Sequence, residues 1–298
     1  MIRTLPLARI ALGATAALLV TGAAGSASAG FGDKDVARTT AFGGQCARCE
    51  LSGRKLIGAS FTGANFEDAT LVGADLRGAE LVMSNFSRSD FTRADLRGAE
   101  MVSSVFSGAI FANARMDGVE ATASSFKGAN LTRANLSGAT LSMAGFSGAI
   151  LVATNFNDAD LVGANFTKAD ASRANFTEAR LKLATLSGGV FERASFREAV
   201  LDGAKLKGGD FTGADFAGAT LKHADLRWTD LSRARNLTQG QVNQACSDGT
   251  TKLPKNLKPR QCEPRFLMIR RPHPPAPPRP PVPPGPPPTP KFIIADGH

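Results

Sequence analysis

No proline occurs between Pro6 and Pro254. Every backbone N–H over that span is therefore free to enter a hydrogen-bonded ladder, which a β architecture needs. Histidine is nearly absent as well, with only His223, His273 and His298. A Ser–His–Asp triad or a His-rich metal cluster cannot be assembled from them. Phosphate-binding loops, a dinucleotide glycine pattern in its strand–helix setting and HExxH are all missing, so no cofactor and no metal is implied. Beyond Ala29 no hydrophobic run approaches the length needed to cross a bilayer. The carboxylates that are present, such as Asp75, Asp90 and Asp95, recur too regularly to mark a catalytic pair, and the chain does not read as an enzyme.

Charge of one sign is missing where it first seems abundant. The net charge is +9, a value that by itself points to nucleic acid or an anionic surface. Between Cys46 and Asn236, however, 22 basic residues face 21 acidic ones. The excess lies in the flanks, which disfavours nucleic acid as a partner of the central body.

Residues 1–29 read as a secretory signal peptide: Arg3 and Arg9, a short apolar run from Ile10 to Val20, and a small-residue site at Ala27-Ser28-Ala29. Cleavage is expected between Ala29 and Gly30. The mature chain would be exported, periplasmic or secreted, with no transmembrane segment. Residues 30–45 form a short lead-in without period.

From Leu51 to Leu231 every fifth residue is a bulky apolar side chain. The 37 positions hold 18 Leu, 15 Phe and 2 Met, and only Ala121 and Ala171 are small. Two residues earlier stands a second regular position, usually Ala. A period of five matches neither a helix nor a simple strand and marks a repeat architecture. A longer, twenty-residue period lies within it: Phe66, Phe86, Phe106, Phe126, Phe146 and Phe166 form one series, and Phe156, Phe176, Phe196 and Phe216 another. A coil of that length stacks like side chains in columns, and four edges per coil give a square section. The body then holds about nine coils and is about 45 Å long at the usual strand spacing of about 4.8 Å.

Volume follows the same columns. Val119 and Ala121 exchange the usual small-then-large order, and Gly189–Phe191 and Gly209–Phe211 pair the smallest inner residue with the largest. Ala171 marks a weak layer unless Phe191, one coil on, fills it. Gly78, Gly98, Gly138 and Gly218 suit corner turns.

Units such as Ala74-Asp75-Leu76-Arg77-Gly78 and Ala94-Asp95-Leu96-Arg97-Gly98 resemble the pentapeptide repeat family. The resemblance implies an all-β fold, a right-handed quadrilateral parallel β-helix, over residues 46–235. Members that protect topoisomerases by mimicking DNA do so with a strongly acidic surface, which this body lacks.

Four cysteines allow three pairings. Cys46–Cys49 and Cys246–Cys262 are the pairs expected in an exported chain, because the two sets lie at opposite ends of the body. A CxxC can instead be redox-active or half a metal site. Residues 236–263 read as a C-terminal cap, with Thr238 and Gln241 forming a capping box that opens a short helix. Residues 264–298 hold most of the 17 prolines and read as a disordered, basic, polyproline-like tail.

One face of the rod lacks charge over six coils. It carries Val82, Val102 and Val162 beside Met83 and Met143, with Glu80, Glu100 and Glu120 along its border. Lys182, Asp202 and Lys222 end the neutrality. Such a strip suits docking. The reading is a non-enzymatic scaffold whose partner is an unidentified protein or envelope component, or a second copy in a homodimer. A DNA mimic and a β-helix that binds or modifies envelope polysaccharide are the alternatives.

Overall fold

The computed structural model describes residues 44–261. The leader with its Ala29/Gly30 site, most of the lead-in, Cys262 and the proline-rich segment lie outside the described residues.

Each five-residue unit follows one backbone recipe. In the unit centred on Leu76, the Leu76 N–H donates to the Asp95 carbonyl at 2.7 Å, and the Asp95 N–H donates to the Ala74 carbonyl at 2.9 Å. The chain then turns a corner, where the Ala79 N–H donates back to the Leu76 carbonyl at 3.0 Å. Gly78 sits at that corner with φ 61°. Four such corners close a square coil. Parallel bridges link each unit to its counterpart one coil on, from Gln45↔Asn65 to Asp215↔Arg235. A turn interrupts every edge after one bridging residue, so the sheets are built from single bridges rather than from long strands. Gly98, Gly138 and Gly218 take the same left-handed corner geometry.

The coils present four faces. Face 1 has Leu81, Leu141 and Leu161 pointing inward, face 2 the Phe66–Phe166 column, face 3 Phe91, Phe111, Phe191 and Phe211, and face 4 the Phe156–Phe216 column. The aromatic columns expected from the longer period are stacked. Phe66–Phe86 centroids lie 5.1 Å apart at 11°, Phe146–Phe166 5.0 Å apart at 10°, and Phe176–Phe196 5.0 Å apart at 3°. Such pairs contribute about 0.5–1.5 kcal/mol each beyond the area they bury.

Ala171 is fully buried, and the ring one coil on lies close to its neighbours. The Phe191 ring leans back into the preceding coil and meets Phe166 at 6.5 Å and Phe176 at 6.2 Å, the two rings that flank Ala171. Gly189 makes that tilt possible. A Cβ there would stand 2.8 Å from Phe191 Cε2 and 3.1 Å from the Ala169 carbonyl oxygen. Val119 and Ala121 are both fully buried, in keeping with their volume exchange.

Both ends are fastened. Cys46 and Cys49 are disulfide-bonded across the first described corner. No helix starts at this corner among the described residues, so the motif has no helix N-terminus of the kind that lowers a thiol pKa. At the other end, helix α1 (Gln239–Gln244) opens on the complete capping box of Thr238 and Gln241. The Gln241 Nε2 amide donates to the Phe216 and Ala219 carbonyls, both at 2.8 Å, so the helix covers the last open edge. Cys246 then pairs with Asp225 and Lys252 with Asp230, continuing the coil pattern into the cap. Cys246 is itself disulfide-bonded; Cys262, the partner expected for it, lies outside the described residues.

Asp215 joins body to cap. It accepts from Asn236 Nδ2 at 2.7 Å, from the Ala217 N–H at 3.1 Å and from Arg197 at 3.3 Å. Burial pushes its carboxyl up, but these three donors outweigh burial and hold it below the usual carboxylate range.

Two stability measurements check this account. Gly189→Ala should cost about 1–3 kcal/mol, because the added methyl meets a ring and a carbonyl rather than a flexible side chain; an unchanged melting temperature would show that Phe191 does not depend on that gap. Asp215→Asn should cost about 1–2 kcal/mol at pH 7. A carboxyl depressed in the folded state stabilises above its unfolded pKa of about 4 and loses that contribution as pH falls through the folded value. Denaturant melts of wild type and D215N should therefore converge below about pH 4; a gap independent of pH would contradict the assignment.

A candidate interaction face

Face 1 gathers all eight residues that the sequence singled out. Glu80, Glu100 and Glu120 are bridged in one column, Ser60↔Glu80↔Glu100↔Glu120↔Thr140. They are exposed, and none forms an ion pair among the described residues. Three like charges about 4.8 Å apart repel one another, so this edge carries a standing cost. Beside it Val82, Val102 and Val162 are half-buried. Met83 and Met143 stand at the corner, each 65% exposed, with φ 52° and 59°.

Those methionines are doubly costly: apolar surface faces water, and a non-glycine residue takes the left-handed region at about 1 kcal/mol. Leu183 repeats the arrangement further along the same corner, 59% exposed with φ 60°. Sequence alone hides it, because Lys182 beside it ends the neutral strip. Column arithmetic could have found it, since Leu183 stands two coils beyond Met143. Both side chains lean over a glycine of the next coil, Met143 Cγ lying 3.7 Å from where a Gly163 Cβ would sit and Leu183 Cδ2 2.8 Å from that of Gly203.

Behind the strip runs a second feature not read from sequence. Ser84, Ser104 and Ser124 occupy the small inward position in three consecutive coils and are buried. The Ser84 N–H donates to Ser104 Oγ at 3.0 Å and the Ser104 N–H to Ser124 Oγ at 3.1 Å. Each hydroxyl in turn donates to a carbonyl of the preceding coil: Phe61, Leu81 and Met101. This buried ladder ties the coils of face 1 together directly under the methionine corner.

On two other faces some carboxylates are neutralised by their own repeat unit. On face 4 Arg77 clamps Asp75 with two bonds of 2.7 Å, and Arg97 clamps Asp95 at 2.8 and 2.7 Å. Arg227 repeats the clamp on Asp225 on face 2. These guanidinium hydrogen bonds hold all three carboxyls below their ordinary range. Among the described residues no group of three His, Cys, Asp or Glu is placed to hold a metal ion, and no helix is long and apolar enough to cross a membrane.

The family model described as pentapeptide repeats matches in 8 copies over residues 45–81, 84–120, 114–151, 149–188 and 194–233. Among solved structures, the chain is similar to HetL, a pentapeptide repeat protein involved in heterocyst differentiation regulation from the cyanobacterium Nostoc sp. strain PCC 7120. The two are 29% identical over 70% of this chain and 87% of HetL, with a TM-score of 0.37. QnrB1, a plasmid-mediated fluoroquinolone resistance protein, is 20% identical over 69% of this chain and 94% of its own, with a TM-score of 0.31. A thylakoid-lumen pentapeptide repeat protein of Arabidopsis thaliana is 30% identical over 34% of this chain and 67% of its own, with a TM-score of 0.19. No curated protein matches.

If the corner methionines serve the surface rather than the fold, Met83→Gly and Met143→Gly should each raise stability by about 0.5–1 kcal/mol. Thermal melts check this. A lower melting temperature in either variant would mean that the side chain holds the coil together.

Proposed function

The chain belongs to the pentapeptide repeat family, and from that premise we propose that it is a non-enzymatic, exported scaffold that associates through face 1 with a second copy of itself. Membership brings the family's right-handed sense to the coil. The observation that carries the reading is the costly apolar corner of Met83 and Met143 beside a strip without charge, a corner that Leu183 continues past the end of the strip.

Charge complementarity along the same face favours a second copy. Its N-terminal half carries Glu80, Glu100 and Glu120, and its C-terminal half carries the exposed Arg180, Lys182 and Lys222. An antiparallel two-fold arrangement sets each acidic half against a basic half while the apolar corners meet, the self-complementary pattern that a symmetric dimer needs. Asp160 shares Arg180 at 3.5 Å, and Asp202 stands between Lys182 and Lys222 in their column, so the two lysines carry the complement against one carboxylate. Export is supported by the leader-like segment that ends at Ala29 and by the oxidised Cys46–Cys49 pair, which suits an oxidising compartment. With 22 basic against 21 acidic residues in the repeat body, mimicry of a nucleic acid is not favoured.

Sedimentation velocity over a concentration series tests the proposal. The wild type should show a monomer–dimer equilibrium that weakens with salt, and Val82→Glu/Val102→Glu should remain monomeric. A wild type that stays monomeric at the highest concentrations, or a double variant that dimerises like wild type, would overturn it.

A further inference from the structure

Over the five coils from Asp90 to Arg173, face 3 has a period twice that of the coil. Its outward residues alternate between a polar band and an apolar one. Asp90, Thr92 and Arg93 form the first polar band, followed one coil on by Ile110, Ala112 and Asn113. Asn130, Thr132 and Arg133 repeat the polar band, and Ile150, Val152 and Ala153 repeat the apolar one. Asp170, Ser172 and Arg173 follow; in the next coil the exposed Val190 stands with the charged Glu192 and Arg193, and the alternation ends. The bridges Asp90↔Ile110↔Asn130↔Ile150↔Asp170↔Val190 hold this order in a single column.

Within each polar band the side-chain oxygen is already engaged. Asp90 accepts from the Thr92 N–H at 2.8 Å, Asn130 from the Thr132 N–H at 3.0 Å and Asp170 from the Ser172 N–H at 3.0 Å. The arginine of each band stands three positions after this residue, at the corner, not two positions after it as in the Asp75–Arg77 and Asp95–Arg97 clamps. Arg93, Arg133 and Arg173 are exposed and enter no ion pair among the described residues, unlike the clamped Arg77, Arg97 and Arg227. They lie on one edge of the rod, two coils apart, which is about 10 Å at the inter-coil spacing. Each holds a left-handed corner, with φ 60°, 57° and 60°, that glycine would fill at lower cost. One coil beyond them Arg193 is partly engaged by Glu192 at 3.7 Å.

We propose that face 3 and its arginine edge bind a linear anionic polysaccharide carrying one carboxylate per disaccharide. An extended chain of that kind repeats its charge on one side at a distance comparable to two coils. Each free guanidinium can take one carboxylate through paired hydrogen bonds. The apolar faces of the sugar rings lie on the Ile110 and Ile150 bands; Thr92 offers a hydroxyl at their edge, and the Thr132 and Ser172 hydroxyls, which donate to Asn130 and Asp170 at 2.6 Å, offer acceptors. The hydrogen-bonded coils fix the spacing before the ligand arrives, so little ordering cost opposes binding. Individually weak contacts in register along one polymer add by effective concentration.

The test uses the full exported chain, with hyaluronan oligosaccharides of graded length, their carboxyl-reduced counterparts and oligothymidylate as probes. Affinity should rise with length until the three arginines are spanned, and it should collapse when the carboxylates are reduced. Arg133→Gly/Arg173→Gly should bind roughly tenfold or more weakly, while Arg77→Gln should bind like wild type. Glycine suits both corners, so a melt at or above the wild-type temperature shows that the double variant is folded. Three outcomes would overturn the proposal: absence of hyaluronan binding, equal binding by the double variant (which assigns the affinity to the basic tail), or oligothymidylate binding as tightly as hyaluronan.

Discussion

Everything in this molecule depends on one hydrogen-bonding constraint: each coil must present its N–H and carbonyl groups to the matching units of the next coil. The Leu76 N–H reaches Asp95 and the Asp95 N–H returns to Ala74, and a coil of any other length would break that exchange along every later layer. The long proline-free span follows from it, since a proline at a donating position would leave a carbonyl without a partner inside a stack with no water to replace it. The corners follow as well, because four left-handed turns per coil are what bring the chain back over itself.

Column packing is the next consequence. Because like positions stack at a fixed separation, a phenylalanine meets a phenylalanine face to face over many layers, and a change in volume must be answered in its own column or a neighbouring one. Val119 and Ala121 answer it within one unit. One coil beyond Ala171 the Phe191 ring has its place because Gly189 carries no Cβ, and Gly209 does the same for Phe211. The core thus behaves as a set of coupled columns, and substitutions should be judged by what stands one coil away.

The interior leaves the outer surface almost free to vary, and this is where the four faces part company. Face 4 neutralises itself through Asp–Arg clamps two positions apart. Face 1 keeps a carboxylate ladder unpaired and puts methionine and leucine at corners where glycine would be less strained. Face 3 places its arginines at the corner, three positions after the Asx residue, where they enter no ion pair among the described residues. A rigid rod with differently finished sides can meet different partners on each, and nothing in the coil itself has to move for it to do so.

The five- and twenty-residue periods, the square section, the aromatic columns, the corner glycines, the Thr238–Gln241 cap and the neutral strip were all legible in the residues alone. They are legible because coil length and side-chain direction are fixed by backbone geometry, so sequence position converts directly into place on the rod. What only the tertiary structure decided concerns how side chains choose among partners of similar distance. Arg77, two positions after Asp75, turns onto it, while Arg93, three positions after Asp90 at the corner, enters no ion pair among the described residues. Ser84, Ser104 and Ser124 form a ladder instead of merely filling the place of alanine, and Phe191 leans backward rather than lying flat. Those outcomes depend on rotamers and on competition for single hydrogen-bond donors between adjacent coils, which a period in the sequence does not encode.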